Sequence, residues 1–218
     1  MPTLLLSTGL SALDELVGET DFLEFFGKWD TVNLLAHRFI VEHSGEVEVL
    51  LTQNFGAFDT YLLRRMGKNL GKRPEAEIAR AFSLPSTVEL LEGALSSDAP
   101  VAAVVDPYLF APSDWRSYHL LTPITAALRH LVHTKPVVVF NRVTQFGKNV
   151  PEGGEYHLHT VPVLVEVSAT PKAMLACLIK HPASPARRVW LPYPEIYGER
   201  VGRTGVQRAL TEWEGAVA

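Results

Sequence analysis

The chain has 218 residues, of which 47% are hydrophobic and 20% are charged, and its formal net charge is −4. This composition is that of a globular protein with one sizeable core, so we expect a single domain over residues 1–218. The negative net charge excludes a general attraction for nucleic acid, so any DNA contact has to come from a local basic patch. The one cysteine, Cys177, excludes an internal disulfide framework and suits a reducing compartment.

Membrane-spanning and targeting signals are missing from the sequence. The apolar start "MPTLLL" is too short for the core of a signal peptide, and no later segment has 18 uninterrupted apolar residues. We therefore expect a cytoplasmic protein, or a nuclear one in a eukaryote, with no membrane partner.

Helix-like and strand-like patterns alternate along the chain. Short apolar or alternating runs predict strands, and apolar residues three or four positions apart predict helices. In chain order the predicted elements are a helix from Ser11, a strand at 22–26, a helix at 31–43, a strand at 46–53, a helix at 60–73, a strand at 77–84, a helix at 86–97, a strand at 100–110, a helix at 114–133 with a kink or new start at Pro123, and strands at 135–144, 160–168, 173–181 and 186–192.

This order of elements predicts an α/β fold. Strands that alternate with helices and are apolar on both faces are typical of a parallel sheet covered by helices on each side. The last three predicted strands follow one another without a helix, so we expect them to extend the sheet as an antiparallel edge.

The order and spacing of several motifs resemble the core of RecA-like ATPases, most closely the archaeal RadA-type recombinases and their paralogues. The resemblance runs from Ser7 to about Pro192. It implies a RecA-like core with a mostly parallel central sheet and antiparallel C-terminal strands. The segments that carry it are "STGLSALDELVGE", "FLEFFGKWDTVNLLAH" in the place of the Walker A strand, loop and helix, "VLLTQNFGAF", "IARAFS", "VAAVVDPYLF" in the place of the Walker B strand, "PVVVFNRVT" and "EGGEYHLHTVPVLVEV".

The segment that matches Walker A has lost the residues that bind phosphate in that family. A Walker A loop needs glycines, whose backbone N–H groups surround the phosphates, and a lysine that reaches the outer ones. From Gly27 this chain has Lys28, Trp29, Asp30 and Thr31, without a second glycine and without a Lys-Ser or Lys-Thr pair. Asp30 places a negative charge where phosphate would bind.

Two further positions of the resemblance also differ from the family. The catalytic glutamate falls near Gln53 or Asn54, neither of which takes a proton at neutral pH. The sensor pair is Asn141 with Arg142 instead of Asn-Gln, and only Asp106 of the magnesium site is retained. The degenerate nucleotide site therefore comprises Gly27, Lys28, Trp29, Asp30, Thr31, Gln53, Asp106 and Asn141, and we expect no cofactor.

Two segments are candidates for contact with single-stranded DNA. The helix after Asp59 carries a local cluster of cations, and a basic surface can bind phosphates without reading sequence. The loop at 142–156 corresponds to the second DNA-binding loop of the family, where cations and an aromatic ring would meet phosphate and base. The candidate residues are Arg64, Arg65, Lys68, Lys72, Arg73, Arg142, Phe146 and Lys148. Glu152 and Glu155 in the loop oppose this interpretation.

No metal site is indicated. His157 and His159 would lie on one face of a strand, but zinc needs further ligands and no third one is evident. The polymerisation element that precedes the core in RadA-type recombinases has no counterpart here, so we expect no filament from this chain alone. The apolar "PTLLL" is a candidate strand for the sheet edge of a partner.

The hypothesis that follows is a non-catalytic RecA/RadA-like paralogue that acts by binding in DNA recombination or repair. Its expected partner is another RecA-like subunit, in a homo- or hetero-oligomer, with single-stranded DNA as a further ligand. Two alternatives remain open. One is a divergent ATPase that uses Lys28 or a lysine from a partner, and the other is a KaiC-like structural or regulatory subunit that binds no DNA.

Overall fold

The structure, a computed structural model, describes residues 6–53 and 58–199. Residues 2–5 of the predicted strand "PTLLL" and Asn54 lie outside these ranges. One sheet of eight strands forms the centre of the structure. The strands are β1 (Phe22–Gly27), β2 (Val47–Thr52), β3 (Glu77–Ala81), β4 (Val101–Val105), β5 (Val137–Arg142), β6 (Val163–Ala169), β7 (Ala173–Lys180) and β8 (Arg188–Pro192).

Helices connect most of these strands and cover both faces of the sheet. They are α1 (Ser11–Val17), α2 (Trp29–Glu42), α3 (Thr60–Leu70), α4 (Leu84–Gly93), α5 (Thr122–Val132), α6 (Gly154–Thr160) and α7 (Tyr193–Ile196). Two 3₁₀ segments, Ala94–Ser96 and Trp115–Leu121, precede β4 and α5 respectively. No helix in the described ranges is long and apolar enough to span a membrane.

The strand order is β3-β2-β4-β5-β1-β6-β7-β8. All neighbours from β3 to β6 are parallel, whereas β7 and β8 are antiparallel. The expected mostly parallel α/β sheet with antiparallel C-terminal strands is therefore confirmed. One detail differs, because β6 runs parallel to β1 and only β7 and β8 form the antiparallel edge.

Two apolar cores lie on opposite faces of the sheet. The first packs α1, α2 and α3 against the strands, around buried residues such as Phe39 and Phe140. The second packs α4 and α5 against the other face, around residues such as Leu128 and Val139. All residues of β1, β2 and β4 are buried, which explains why these strands are nearly continuous apolar runs.

The prediction that His157 and His159 share a face of a strand is wrong. Both residues lie in α6, and β6 begins only at Val163. The backbone changes direction at Gly153 and Gly154, whose φ angles are 117° and 80°. These positive angles are readily available only to glycine, and they start a helical turn that the alternating pattern of "EYHLHTV" concealed.

The long helix predicted at 114–133 is divided. Its first part is the 3₁₀ segment Trp115–Leu121, capped by the Asp114 side chain, which accepts a hydrogen bond from the backbone N–H of Arg116 at 3.1 Å. The α-helix α5 starts at Thr122, with Pro123 in its first turn, where a missing N–H costs nothing. The predicted new start at Pro123 is therefore confirmed.

Candidate functional site

The turn between β1 and α2 is much shorter than a phosphate-binding loop. Strand β1 ends at Gly27 and α2 begins at Trp29, so Lys28 alone separates them. Lys28 is exposed and has an extended backbone. The backbone N–H groups of Thr31 and Val32 already donate to the Lys28 carbonyl, at 3.0 and 3.1 Å. The helix therefore starts where the backbone of a Walker A loop would surround phosphate.

Gly27 has no room for a side chain or for a bound group on its Cα side. A Cβ atom there would lie 2.1 Å from the carbonyl oxygen of Val167 in the neighbouring strand β6. Glycine at this position is required by close packing between strands. The packing against β6 therefore explains why residue 27 is glycine, without any role in a nucleotide loop.

Three residues from distant parts of the sequence meet beside this turn. The Arg142 guanidinium lies over the indole ring of Trp29, 4.7 Å from its centroid. The same guanidinium binds the Asp106 carboxylate, with Nε at 2.7 Å and Nη2 at 2.6 Å from Oδ2. Trp29 begins α2, Asp106 follows β4, and Arg142 ends β5. We call these three residues the Trp29–Arg142–Asp106 cluster.

Asp106 is held in a constrained setting. It is 1% exposed, and its backbone has a φ of 56°, a conformation that costs a non-glycine residue about 1 kcal/mol or more. Burial raises the pKa of its carboxyl to about 6, although the hydrogen bond and charge of Arg142 oppose the shift. Within the described residues its Oδ1 has no hydrogen-bond partner. Its other oxygen is committed to Arg142, so the carboxylate that would hold Mg²⁺ in the family is paired with a cation from the chain itself.

The Asn141 side chain is fully buried beside Glu24 of β1. Its Nδ2 donates to Oε1 of Glu24 at 2.7 Å and to the carbonyl of Glu152 at 2.8 Å. Its Oδ1 accepts the backbone N–H of Arg142 at 2.8 Å. All the polar groups of the side chain are therefore used within the fold, and Asn141 serves to fix the end of β5.

The remaining residues of the predicted nucleotide site differ in their burial. Gln53 is buried after β2, where its backbone N–H donates to Ala81 at 3.1 Å. Thr31 is buried within α2, while Asp30 is exposed on the same helix. The structure thus brings Trp29 and Asp106 together through Arg142.

A buried polar network that the sequence did not reveal lies next to Asn141. His157 is fully buried; its Nε2 lies 2.7 Å from Oε2 of Glu24, and its Nδ1 lies 2.9 Å from the hydroxyl of Tyr108. The hydroxyl of Tyr108 in turn lies 2.8 Å from that of Thr125. This network attaches α6 to β1 and α5. Its one visible signal in the sequence was a carboxylate within the apolar run "FLEFF", since a buried carboxylate needs a partner.

A groove of about 730 Å³ opens beside α6. Its walls are the 3₁₀ segment Trp115–Leu121, the loop after β5 and the first turns of α6. Four aromatic side chains line it together with one cation and one carboxylate: Trp115, Tyr118, Phe146, Tyr156, Lys148 and Glu155. We call this cavity the aromatic groove.

The aromatic rings of the groove are accessible. Trp115, Phe146 and Tyr156 are 68%, 42% and 44% exposed. The Phe146 ring rests against Tyr118, with centroids 5.2 Å apart. Proteins that bind single-stranded nucleic acid combine such exposed rings, on which bases stack, with nearby cations, which contact phosphate.

Glu152 does not line the groove, although its side chain lies directly behind it. It is 5% exposed and its carboxylate is fully engaged. Oε1 accepts from the hydroxyl of Tyr118 at 2.5 Å and from the backbone N–H of Gly153 at 3.0 Å, and Oε2 accepts from the N–H of Gln145 at 3.2 Å. Glu152 therefore organises the loop, and Glu155 alone of the two lines the groove.

The predicted DNA-binding residues fall on two separate surfaces. Phe146 and Lys148 lie in the aromatic groove, next to the second core. Helix α3 packs on the first core, on the other face of the sheet. Arg142 belongs to neither surface, because its guanidinium is held by Asp106 and Trp29.

The cations of the α3 region differ in their availability. Arg65 pairs with Glu199 at 2.9 Å, and Lys72 pairs with Glu42 at 2.8 Å. The others are exposed and form no ion pair with a described residue: Arg64, Lys68 and Arg73. The basic patch predicted on this helix is thus reduced to three available cations.

No group of three or more His, Cys, Asp or Glu side chains in the described part of the chain is arranged to hold a metal ion. Cys177 is a free, half-buried thiol. Burial and, to a lesser degree, the nearby Glu166 carboxylate raise its pKa, so it is not an activated nucleophile.

Comparison with known proteins gives a structural match but no sequence match. No protein-family model matches the chain, and no curated protein matches it. Among solved structures, the crystal structure of the RadB recombinase aligns with a TM-score of 0.68 and 17% sequence identity, over 86% of this chain and 95% of that one. This likeness shows that the chain has the RecA-like α/β fold.

Proposed function

We propose that this chain is a RecA-fold protein that does not hydrolyse ATP and acts by binding, as a subunit in DNA recombination or repair. Its partner is another RecA-like subunit, and its nucleic-acid ligand is single-stranded DNA. The observation that carries the proposal is the Trp29–Arg142–Asp106 cluster, which fills the end of β1 and β4 where the fold would bind nucleotide.

The cluster argues against ATP chemistry on three counts. Transfer of a phosphoryl group depends on positioning and on stabilising charge around the phosphates. Here Lys28 alone links β1 to α2, so no loop surrounds a phosphate. Asp106 is neutralised by Arg142 at 2.6 Å, and the indole of Trp29 lies across the same guanidinium. A Mg²⁺–nucleotide complex would have to break this ion pair before it could bind.

The aromatic groove supports the DNA part of the proposal. Three exposed rings and Lys148 line one cavity of about 730 Å³. Stacking on aromatic rings tolerates any base, and phosphate contact requires only a nearby cation. Because the net charge is −4, such binding depends on local cations. Its phosphate contact should weaken at high salt, and neither contact reads the base sequence.

The test is binding of a fluorescent oligo-dT to the protein, measured by anisotropy with and without ATP and Mg²⁺. We expect binding that weakens as salt increases and that is the same in the presence of ATP. Phosphate release should stay at background with or without DNA. Failure to bind any oligonucleotide even at low salt would contradict the DNA part and favour a structural subunit. Hydrolysis that Asp106→Asn abolishes would contradict the non-catalytic part.

A further inference from the structure

Along β7 and β8, no helix of residues 6–53 and 58–199 covers the face of the sheet opposite the first core. Along β7, the buried side chains Met174, Ala176 and Leu178 pack into the first core. The alternate side chains point to the opposite face. Those that are apolar on this face of β7 and β8 belong to neither core, and Ile179 and Trp190 are 50% and 55% exposed. We call the uncovered surface of β6, β7 and β8 the open face.

One row of residues on the open face carries opposite charges at its two ends. Glu166 of β6 pairs with Cys177 of β7, which pairs with Arg188 of β8. Paired residues on neighbouring strands lie about 5 Å apart, so Glu166 and Arg188 are separated by roughly 10 Å with Cys177 midway. Neither charged side chain forms a hydrogen bond or ion pair with any residue in the described ranges. Both charges act on the pKa of Cys177, the carboxylate to raise it and the guanidinium to lower it.

A second row, two residues along the strands, has one large and one small end. Ser168 of β6 pairs with Leu175 of β7, which pairs with Trp190 of β8. The open face is therefore lined by an apolar centre, a bulky ring on the β8 side and a short side chain on the β6 side. A complementary surface would place a cation opposite Glu166 and an anion opposite Arg188. It would also place a large side chain opposite Ser168 and a small one opposite Trp190.

We propose that the open face binds the open face of a second copy of this chain, related by a two-fold axis that runs along β7. Packed sheets lie about 10 Å apart with their strands nearly aligned. This axis exchanges the positions of β6 and β8 across the interface. Glu166 then meets Arg188 of the second copy at both ends, and Cys177 meets its own counterpart at the centre.

The charges select this axis over the other one that keeps the sheets aligned. An axis perpendicular to the strands would place Glu166 over Glu166 and Arg188 over Arg188, which repel. The axis along β7 replaces both repulsions with attractions. It also places each Trp190 ring over the small Ser168 of the other copy, so that large and small side chains are matched. An isologous contact of this kind is the commonest basis of homodimers.

Charge reversal tests the pairing directly. We expect the wild-type protein to sediment as a dimer in analytical ultracentrifugation. Glu166→Arg and Arg188→Glu should each sediment as monomers, because each variant places like charges against each other. An equal mixture of the two variants should form a heterodimer, since the doubly positive face of one matches the doubly negative face of the other.

The matched control is Arg129→Glu, an equal change of charge at an exposed position of α5, which should remain dimeric. Circular dichroism verifies that each variant is folded. Cys177 provides a second readout, because it is the only cysteine. Its Cα and that of the second copy would lie about 10 Å apart, beyond the reach of a disulfide. Because the dimer would bury Cys177, a maleimide should label the wild type more slowly than the monomeric variants, and oxidation alone should link no two copies.

A wild-type protein that sediments only as a monomer would overturn the proposal. So would a dimer that persists in both charge-reversal variants, or a mixture of the two variants that stays monomeric. The proposed dimer rests on the part of the proposed function that concerns pairing of subunits, and it is independent of the part that concerns DNA. Oligo-dT binding by the monomeric variants distinguishes the two, because DNA binding through the groove should survive loss of the dimer.

Discussion

The substitution Phe146→Ala tests whether the aromatic groove binds nucleic acid. One side of the Phe146 ring rests on Tyr118 at 5.2 Å between centroids, and 42% of the residue is exposed. The exposed side is the surface on which a base would stack. The ring is in a loop at the surface and in neither core, so its truncation should leave the protein folded.

The size of the expected effect follows from one lost stacking contact. Stacking of a base on an aromatic side chain contributes about 1–3 kcal/mol. Since 1.4 kcal/mol corresponds to a factor of ten, the dissociation constant should increase by roughly 5- to 150-fold. Lys148→Ala should act differently. Loss of one phosphate contact lowers the slope of log K against log salt by about 0.7 for single strands.

The assay is fluorescence anisotropy with oligo-dT at several salt concentrations. Phe82→Ala is the matched control, because Phe82 is 59% exposed and follows β3 at the far edge of the sheet. The reasoning would be refuted if Phe146→Ala and Phe82→Ala bound equally well, or if Lys148→Ala kept the wild-type salt slope.

Three further predictions concern stability. His37 accepts the backbone N–H of Asp59 at Nε2 and lies 2.6 Å from the Asn33 carbonyl at Nδ1, so the folded ring is neutral, and burial lowers its pKa. In the unfolded chain the ring takes up a proton near pH 6.5, so the free energy of unfolding should fall as pH drops below that value. The fall should be smaller in His37→Gln. Urea unfolding at pH 7.5 and at pH 5 measures the difference. Gly27→Ala should cost about 1–3 kcal/mol or more in urea unfolding, because the new Cβ would meet a β6 carbonyl at 2.1 Å. The pKa of Asp106 in the folded protein is about 6. As pH rises from 4 to 7, the free energy of unfolding of the wild type should therefore fall by up to about 3 kcal/mol relative to that of Asp106→Asn, because the carboxyl ionises at lower pH in the unfolded chain.

Each of these three has a clear contrary outcome. An equal pH dependence in His37→Gln would show that His37 is not the group responsible. Wild-type stability in Gly27→Ala would mean that β1 and β6 can separate at Gly27. A constant difference between wild type and Asp106→Asn over the pH range would show that folding does not raise the pKa of the carboxyl.

Most of the fold was predictable because it depends on local patterns. Strands buried on both faces have to be apolar throughout, and "VAAVV" and "VVVF" show this in the sequence alone. Asp59 stands directly before the predicted helix, and its carboxylate caps α3 by accepting the N–H groups of Tyr61 and Leu62 at 2.8 and 3.1 Å. Short polar side chains cap helices through contacts two or three residues away, which a sequence displays directly.

The errors arose where a long-range contact or a special backbone angle decides the outcome. The sequence placed His157 on a strand, because the alternation of "EYHLHTV" outweighed the glycines at 153 and 154. Their positive φ angles turn the chain into α6, and the bond to Glu24, 133 residues away, fixes it there. Nothing local predicts a partner at that distance.

The candidate sites show the same limit. Trp29 was named as part of the degenerate nucleotide site, and its ring lies against Arg142. The sequence predicted that Arg142, which contacts this ring, would bind DNA. It could not show that Asp106 and Arg142 lie side by side at the C-terminal ends of the neighbouring strands β4 and β5. The groove was seen only in part, since Trp115 and Tyr118 were predicted to belong to a regular helix, and only Phe146 and Lys148 were named.

The proposed function depends most on whether the Trp29–Arg142–Asp106 cluster excludes nucleotide. A thermal-shift titration with ATP, ADP and a non-hydrolysable analogue, each with and without Mg²⁺, measures this directly. Any ligand that binds only the folded state raises the melting temperature in proportion to the logarithm of its concentration. We predict a flat response to all three nucleotides. A Mg²⁺-dependent rise that grows with ATP concentration would contradict the account and would identify the turn at Gly27 as part of a working nucleotide site.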